Sequence, residues 1–208
     1  ARAADGPRVT AYEPMLLQGS ETKADAGQDE GARVTILKHR KFVADDGVLE
    51  KMADRSQPAG ASYVGSDKCA GCHLADFTAW KASKHADAWQ VLEKAEMDRA
   101  WPVTRYPDCV SCHVVGYRKP GGFVSAKETP LLVNVGCERC HGPGSAHVDS
   151  GGATRLGKVA GDLPKSTLCT QCHDFEQTPK FDYTSFWAII QHGAKATPPK
   201  KPLKLGGR

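Results

Sequence analysis

Cys69-Ala-Gly-Cys72-His73 is the run from which the rest of this chain is read, because its pattern recurs three times. It returns as Cys109-Val-Ser-Cys112-His113, as Cys137-Glu-Arg-Cys140-His141 and as Cys169-Thr-Gln-Cys172-His173. Two thiols two residues apart, followed at once by an imidazole, form the attachment pattern of c-type haem. The thiols add to the two vinyl groups of one porphyrin, and the histidine reaches the iron from one face. The four runs use all eight cysteines. A structural zinc site would need two runs to converge on one metal and would leave each histidine idle. A disulfide framework explains an even cysteine count but not a histidine after every pair. Four covalently bound c-type haems are therefore expected.

The chain has 208 residues. Residues 61–208 are 148 residues for four haems, or 37 each, too few to wrap four porphyrins in an ordinary protein core. The haems must form much of the core, covered by short helices and loops. The 21 Gly and 13 Pro favour turns over long regular elements. The expected fold is mainly α with short β-hairpins and much irregular loop around a haem-dominated core. No apolar stretch approaches the length of a membrane span. Ala1-Arg2-Ala3-Ala4 suits the start of a processed chain. Haem is attached to c-type cytochromes outside the bacterial cytoplasm, so a periplasmic, extracellular or cell-surface location is expected. The formal charge of +4 falls to zero once eight propionates and four ferric cores are added. No basic stripe with interleaved aromatics points to nucleic acid.

Three regions are expected. Residues 1–60 form a haem-free N-terminal extension with ten acidic and nine basic residues. Within it, 18–33 reads as an exposed loop, 33–43 as a strand, 45–54 as a short helix and 57–60 as a linker. Residues 61–193 form the tetrahaem domain. Its expected elements are a helix over 74–99 with His85 on the apolar face, a hairpin over 114–126, and a Gly-rich loop over 150–162. A last helix runs from a Thr184 cap to His192 and is stopped by Gly193. Residues 194–208 form a basic tail.

Four histidines lie outside the motifs: His39, His85, His147 and His192. Four irons need four second ligands, so the numbers match. Met15, Met52 and Met97 are less well placed for that role. His147 follows His141 through a tight Gly-Pro-Gly turn that cannot carry the chain round a porphyrin edge, so His147 should bind a different haem. Two alternatives remain open: a carrier with every iron saturated by two histidines, or a redox enzyme with one open iron for a small nitrogen or oxygen species. Redox donor and acceptor proteins, or an extracellular acceptor, are the expected partners.

Asp108-Cys109-Val-Ser-Cys112-His113-Val114, with Gly121-Gly122-Phe123 after it, resembles a known family. So do Val135-Gly136-Cys137-Glu138-Arg139-Cys140-His141-Gly142-Pro143-Gly144 and Ser83-Lys84-His85-Ala86. The family is that of the tetrahaem cytochrome c that accepts electrons from hydroxylamine oxidoreductase. The resemblance spans roughly residues 63–193. It implies a mainly α fold with paired, closely stacked haems. It further implies that His147 serves the first haem, His192 the third and His85 the fourth, and that the second haem, on His113, lacks a second ligand. His39 lies in the added N-terminal segment, where it could supply that ligand within the chain or to a neighbouring subunit. The second arrangement would make a homopolymer. A weaker likeness to polymerising extracellular multihaem cytochromes rests on size, haem count and the balanced histidines.

The haem count is checked by mass spectrometry of the denatured chain. Four haem additions are expected; three or fewer at full maturation would refute the count.

Overall fold

The computed structural model describes residues 29–99, 101–156 and 165–193. Residues 18–28 of the expected 18–33 loop, residues 157–162 of the expected 150–162 loop and the basic tail 194–208 lie outside the described residues. Ten short α-helices and three 3-10 turns make up the regular structure among the described residues. The chain divides into two compact units between His39 and Arg40.

The strand expected over 33–43 is a helix, α1 (Glu30–Asp45). The alternation of Val34, Ile36 and Lys38 suggested a period of two. Instead the less exposed residues fall at Val34, Leu37, Arg40, Val43 and Ala44, a spacing of three and four. Local chemistry agrees with a helix. Asp29 Oδ1 accepts the Ala32 N–H at 2.7 Å, and Glu30 pairs with Arg33 one turn on at 2.5 Å. Ile36 and Phe42 stay exposed at 49% and 63%.

The second unit starts with the last residues of α1, and α2 (Val48–Lys51) follows. Residues 44–62 are not a free tether. Ala44 and Leu49 are buried, the Leu49 carbonyl accepts the Tyr117 hydroxyl at 3.0 Å, and Arg55 pairs with Glu128 at 2.7 Å. The reach that an extended 44–62 would give is absent.

The first motif begins on α3 (Asp67–Ala70) and runs into α4 (Leu74–Lys81). The helix expected over 74–99 is broken. Ser83 is extended, its hydroxyl donates to the Trp80 carbonyl at 2.7 Å, and a 3-10 turn over Lys84–Asp87 precedes α5 (Ala88–Arg99). A serine that bonds back to the preceding turn competes with the helix at that point. The break places His85 on the 3-10 turn rather than on a helix face. Three bonds then fix this corner: Trp80 Nε1 to the Val135 carbonyl at 2.8 Å, Val135 N–H to the His85 carbonyl at 3.1 Å, and Trp89 N–H to Asn134 Oδ1 at 2.8 Å.

The second motif lies wholly on α6 (Pro107–His113), with proline in its first turn. The hairpin expected after it does not form strands. The chain turns so tightly that a Cβ on Gly122 would sit 1.8 Å from the Gly116 carbonyl oxygen. Only one antiparallel bridge, Val114 to Val133, is present among the described residues. The partner of Val114 is thus the segment entering the third motif, not the return arm of its own turn.

The third motif occupies α7 (Cys137–His141), and α8 (Ser145–Asp149) carries His147. The fourth begins on α9 (Lys165–Thr170) and ends in a turn. The last helix, α10 (Tyr183–Ile190), is capped by Asp182, which accepts the Ser185 N–H at 2.8 Å, and not by Thr184. Aspartate is the better acceptor at that position, and the helix starts one residue before Thr184. His192 and Gly193 lie beyond its end.

The buried apolar residues are Ala44, Leu49, Trp89, Leu92, Val103, Val110, Val114, Phe123, Leu132 and a few neighbours. All fall between 44 and 132. Among the described residues, no apolar side chain from the third and fourth motifs onward is buried. The fold is mainly α with irregular loops, and its buried apolar core is drawn from residues 44–132.

Phe123 is 1% exposed, and its ring lies 5.7 Å from Trp89. Phe123→Ala is expected to cost about 3–5 kcal/mol, read from denaturant unfolding of the haem-loaded protein. A loss below ~1 kcal/mol would show that this apolar cluster contributes little.

Candidate haem centres

No disulfide joins any of the eight cysteines. The structure sets motif against motif. The Cys69 thiol is hydrogen-bonded to the Cys137 thiol and pushed up to about 12, by burial first and then by its neighbour's charge. The Cys112 thiol bonds to Cys172, which is held near 6 chiefly by that bond and also by the Arg139 guanidinium. Arg139 Nη2 lies 3.8 Å from Cys172 Sγ. The first motif therefore adjoins the third, and the second adjoins the fourth.

The first adjacency is held by backbone bonds. Ser66 Oγ accepts the Cys137 N–H at 3.1 Å. Ser62 and Ser145 exchange two bonds, at 2.8 and 3.0 Å. The Glu138 carboxylate, within the third motif, accepts the Val64, Gly65 and Gly144 N–H groups at 2.7–3.1 Å.

Six histidines fall into three facing pairs. The ring centres of His73 and His147 are 6.0 Å apart, those of His85 and His173 6.1 Å, and those of His141 and His192 5.8 Å. Direct ring stacking would bring them closer. Two imidazoles on opposite sides of one metal, with metal–nitrogen bonds of about 2 Å and about 1 Å more to each ring centre, stand about 6 Å apart. Each pair joins a motif histidine to a histidine outside the motifs.

The ring nitrogens agree. Nδ1 of His113 lies 2.5 Å from the Ala88 carbonyl oxygen, Nδ1 of His147 2.7 Å from that of Thr154, and Nδ1 of His192 2.8 Å from that of Ile190. Nδ1 of His173 lies 3.1 Å from Thr178 Oγ1, and Nδ1 of His73 3.6 Å from Asp76 Oδ2. An Nδ1–H that donates to such a group leaves Nε2 with its lone pair free for a metal. Half-buried His85 is pushed down to about 4, by burial and then by His173, so it is a neutral imidazole. The His85–His173 pair is stiffened by Phe181, stacked on His173 at 4.9 Å and 11°, and by Phe186, edge-on at 5.5 Å. These residues fit haem: paired thiols, an adjacent imidazole and a 6 Å gap to a second neutral imidazole.

His113 faces no second histidine ring within the unit of residues 40–208 as described. His39 is exposed on α1, at the end of the other unit. Among the described residues no three His, Cys, Asp or Glu side chains converge as a metal site. The supporting groups Ala88, Thr154, Thr178, Phe181 and Glu138 were not foreseen. Carbonyl acceptors leave no mark in a sequence, though a glutamate inside a haem motif was a visible oddity.

Motifs, thioether positions and paired imidazoles together define a multihaem c-type cytochrome. The family model described as cytochrome c554 and c-prime matches residues 68–142, which hold the first three motifs. Cytochrome c-554 of Nitrosomonas europaea is 35% identical over 160 residues, covering 64% of this chain and 68% of that protein. The chain belongs to the cytochrome c554 family. The solved structure of reduced cytochrome c554 from the same organism aligns at 25% identity with a TM-score of 0.42, over 62% of this chain and 82% of that one. The chain accordingly carries four covalently bound c-type haems and transfers electrons, and it is not an enzyme. No described helix is long and apolar enough to cross a membrane.

Proposed function

We propose that this chain is an electron conduit in which His73 and His147 bind the first haem iron, His141 and His192 the third, and His173 and His85 the fourth. The observation that carries the reading is the set of three imidazole pairs, each separated by 5.8–6.1 Å. Haem iron supplies one-electron transfer at nearly constant coordination when two histidines saturate it. The chain's part is to hold the rings still. Thr154, Ile190 and Thr178 fix Nδ1 orientation, and Phe181 clamps one ring. Fixed ligands keep reorganisation small and leave no position for a substrate. The thiol contacts Cys69–Cys137 and Cys112–Cys172 support pairing of the first haem with the third and of the second with the fourth. The tetrahaem domain ends near residue 193, with 194–208 as a basic tail. The protein works in the periplasm or at the cell surface between redox donor and acceptor proteins.

His147→Ala tests the ligation. One iron should open, giving a high-spin signal in low-temperature EPR of the oxidised protein, and His85→Ala and His192→Ala should each do the same. An unchanged spectrum in any of the three refutes that ligand.

His39 completes the reading. It is exposed on a helix among Lys38, Arg40 and Lys41, whose charges suit propionates. We assign it to the second haem, on Cys109, Cys112 and His113, as a ligand offered to a neighbouring subunit or within the chain. Head-to-tail sharing of that kind builds an open filament when the rotation does not close. His39→Ala should create one five-coordinate haem. It should also disperse assemblies to monomers in light scattering if the bond crosses chains, and leave the mass unchanged if it does not. A native protein that already shows a high-spin haem binding cyanide would refute His39 as ligand and leave that iron open.

A further inference from the structure

Glu138 is a buried carboxylate, 4% exposed, inside the third haem motif. Its partners are backbone N–H groups. Oε1 accepts from Val64 at 3.0 Å and from Gly144 at 2.7 Å; Oε2 accepts from Gly65 at 2.8 Å and from Val64 at 3.1 Å. Both oxygens therefore receive donors. A proton on either would point at an N–H, so the arrangement fits the ionised, acceptor-only form. Backbone amides solvate the charge without adding a formal positive charge to cancel it.

Its position matters as much as its burial. Glu138 follows Cys137 directly, and its charge is felt at the Cys69 thiol of the first motif. It thus sits where the attachment points of the first and third haems meet. The second and fourth motifs adjoin each other instead, beside the Arg139 guanidinium. Arg139 lies at the Cys112 and Cys172 thiols, and its charge is also felt at Cys140 of the third motif.

We propose that Glu138 is a fixed buried anion that holds the reduction potentials of the first and third haems below the values they would have without it. A negative charge near an iron favours the ferric form, which carries one more positive charge, and net charge is among the factors that set haem potentials. Buried charges are little screened by salt. Glu138 thereby makes the first and third haems readier to give up an electron. It is a positioning and tuning residue and touches no substrate. The inference rests on the four-haem reading above.

The experiment is a spectroelectrochemical titration of the haem-loaded protein, with the haem count taken first by mass spectrometry. A wrong count indicts the four-haem reading; the potentials alone test Glu138. Glu138→Gln is expected to raise two of the four midpoint potentials and leave two unchanged. Ser145→Ala cuts the 2.8 Å bond to the Ser62 N–H, which ties the same segments without a charge, and should move none. No shift in Glu138→Gln, an equal shift of all four haems, or the same two shifts in Ser145→Ala would overturn the proposal. If Glu138→Gln does not accumulate, Glu138→Asp decides, because it keeps the charge while losing reach. Potentials within error of the native protein support a charge effect. An upward shift of the first and third haems in Glu138→Asp overturns it.

Discussion

The gap between paired imidazoles is the constraint on which the rest of the molecule depends. A six-coordinate haem needs two nitrogens on one line through the iron, which leaves about 6 Å between ring centres. No local chain path provides that, because the motif histidine and the second ligand lie on opposite faces of a porphyrin. The ring that faces each of three motif histidines comes from a distant part of the chain. His147 comes from α8, seventy-four residues after His73. His85 comes from the break between α4 and α5, eighty-eight residues before His173. His192 comes from beyond α10. The connections that deliver these rings are the fold.

This explains why the helices are short and interrupted. A helix continuous over 74–99 would have carried His85 in the register of its neighbours. Ser83 breaks it, and the Trp80, Val135 and Asn134 bonds then hold the turn against the segment entering the third motif. The same economy governs the turn after the second motif. Gly116 and Gly122 approach so closely that no Cβ fits, and Val114 is freed to meet Val133.

The motifs and the mainly helical character were legible because covalent chemistry fixes residue type and spacing together. The conformations between the motifs were less so. Val34, Ile36 and Lys38 alternate like a strand, yet Asp29 and the Glu30–Arg33 pair start a helix whose less exposed face runs through Leu37 and Ala44. The hairpin over 114–126 had strand-like residues on both arms, but the tightness of its turn is a three-dimensional fact. Thr184 looked like a cap, and Asp182, two residues earlier, caps better. In each case a short polar contact outweighed a periodicity read over too few residues. The carbonyls that orient His113, His147 and His192 carry no sequence mark at all.

The distribution of apolar burial has a further consequence. Among the described residues, buried apolar packing ends at Leu132, and the third and fourth motifs follow it. That half of the chain has ring contacts, a buried carboxylate and backbone bonds, but no apolar cluster of its own among the described residues. Burial of large apolar surface is what offsets the conformational entropy lost on ordering a chain. Among the described residues, that surface is gathered around Trp89, Val110 and Phe123 in the first half. Glu138 stands at the join: its carboxylate binds Val64 and Gly65, just before the first motif, to Gly144, just after the third. Ordering of the third centre is thereby coupled to ordering of the first.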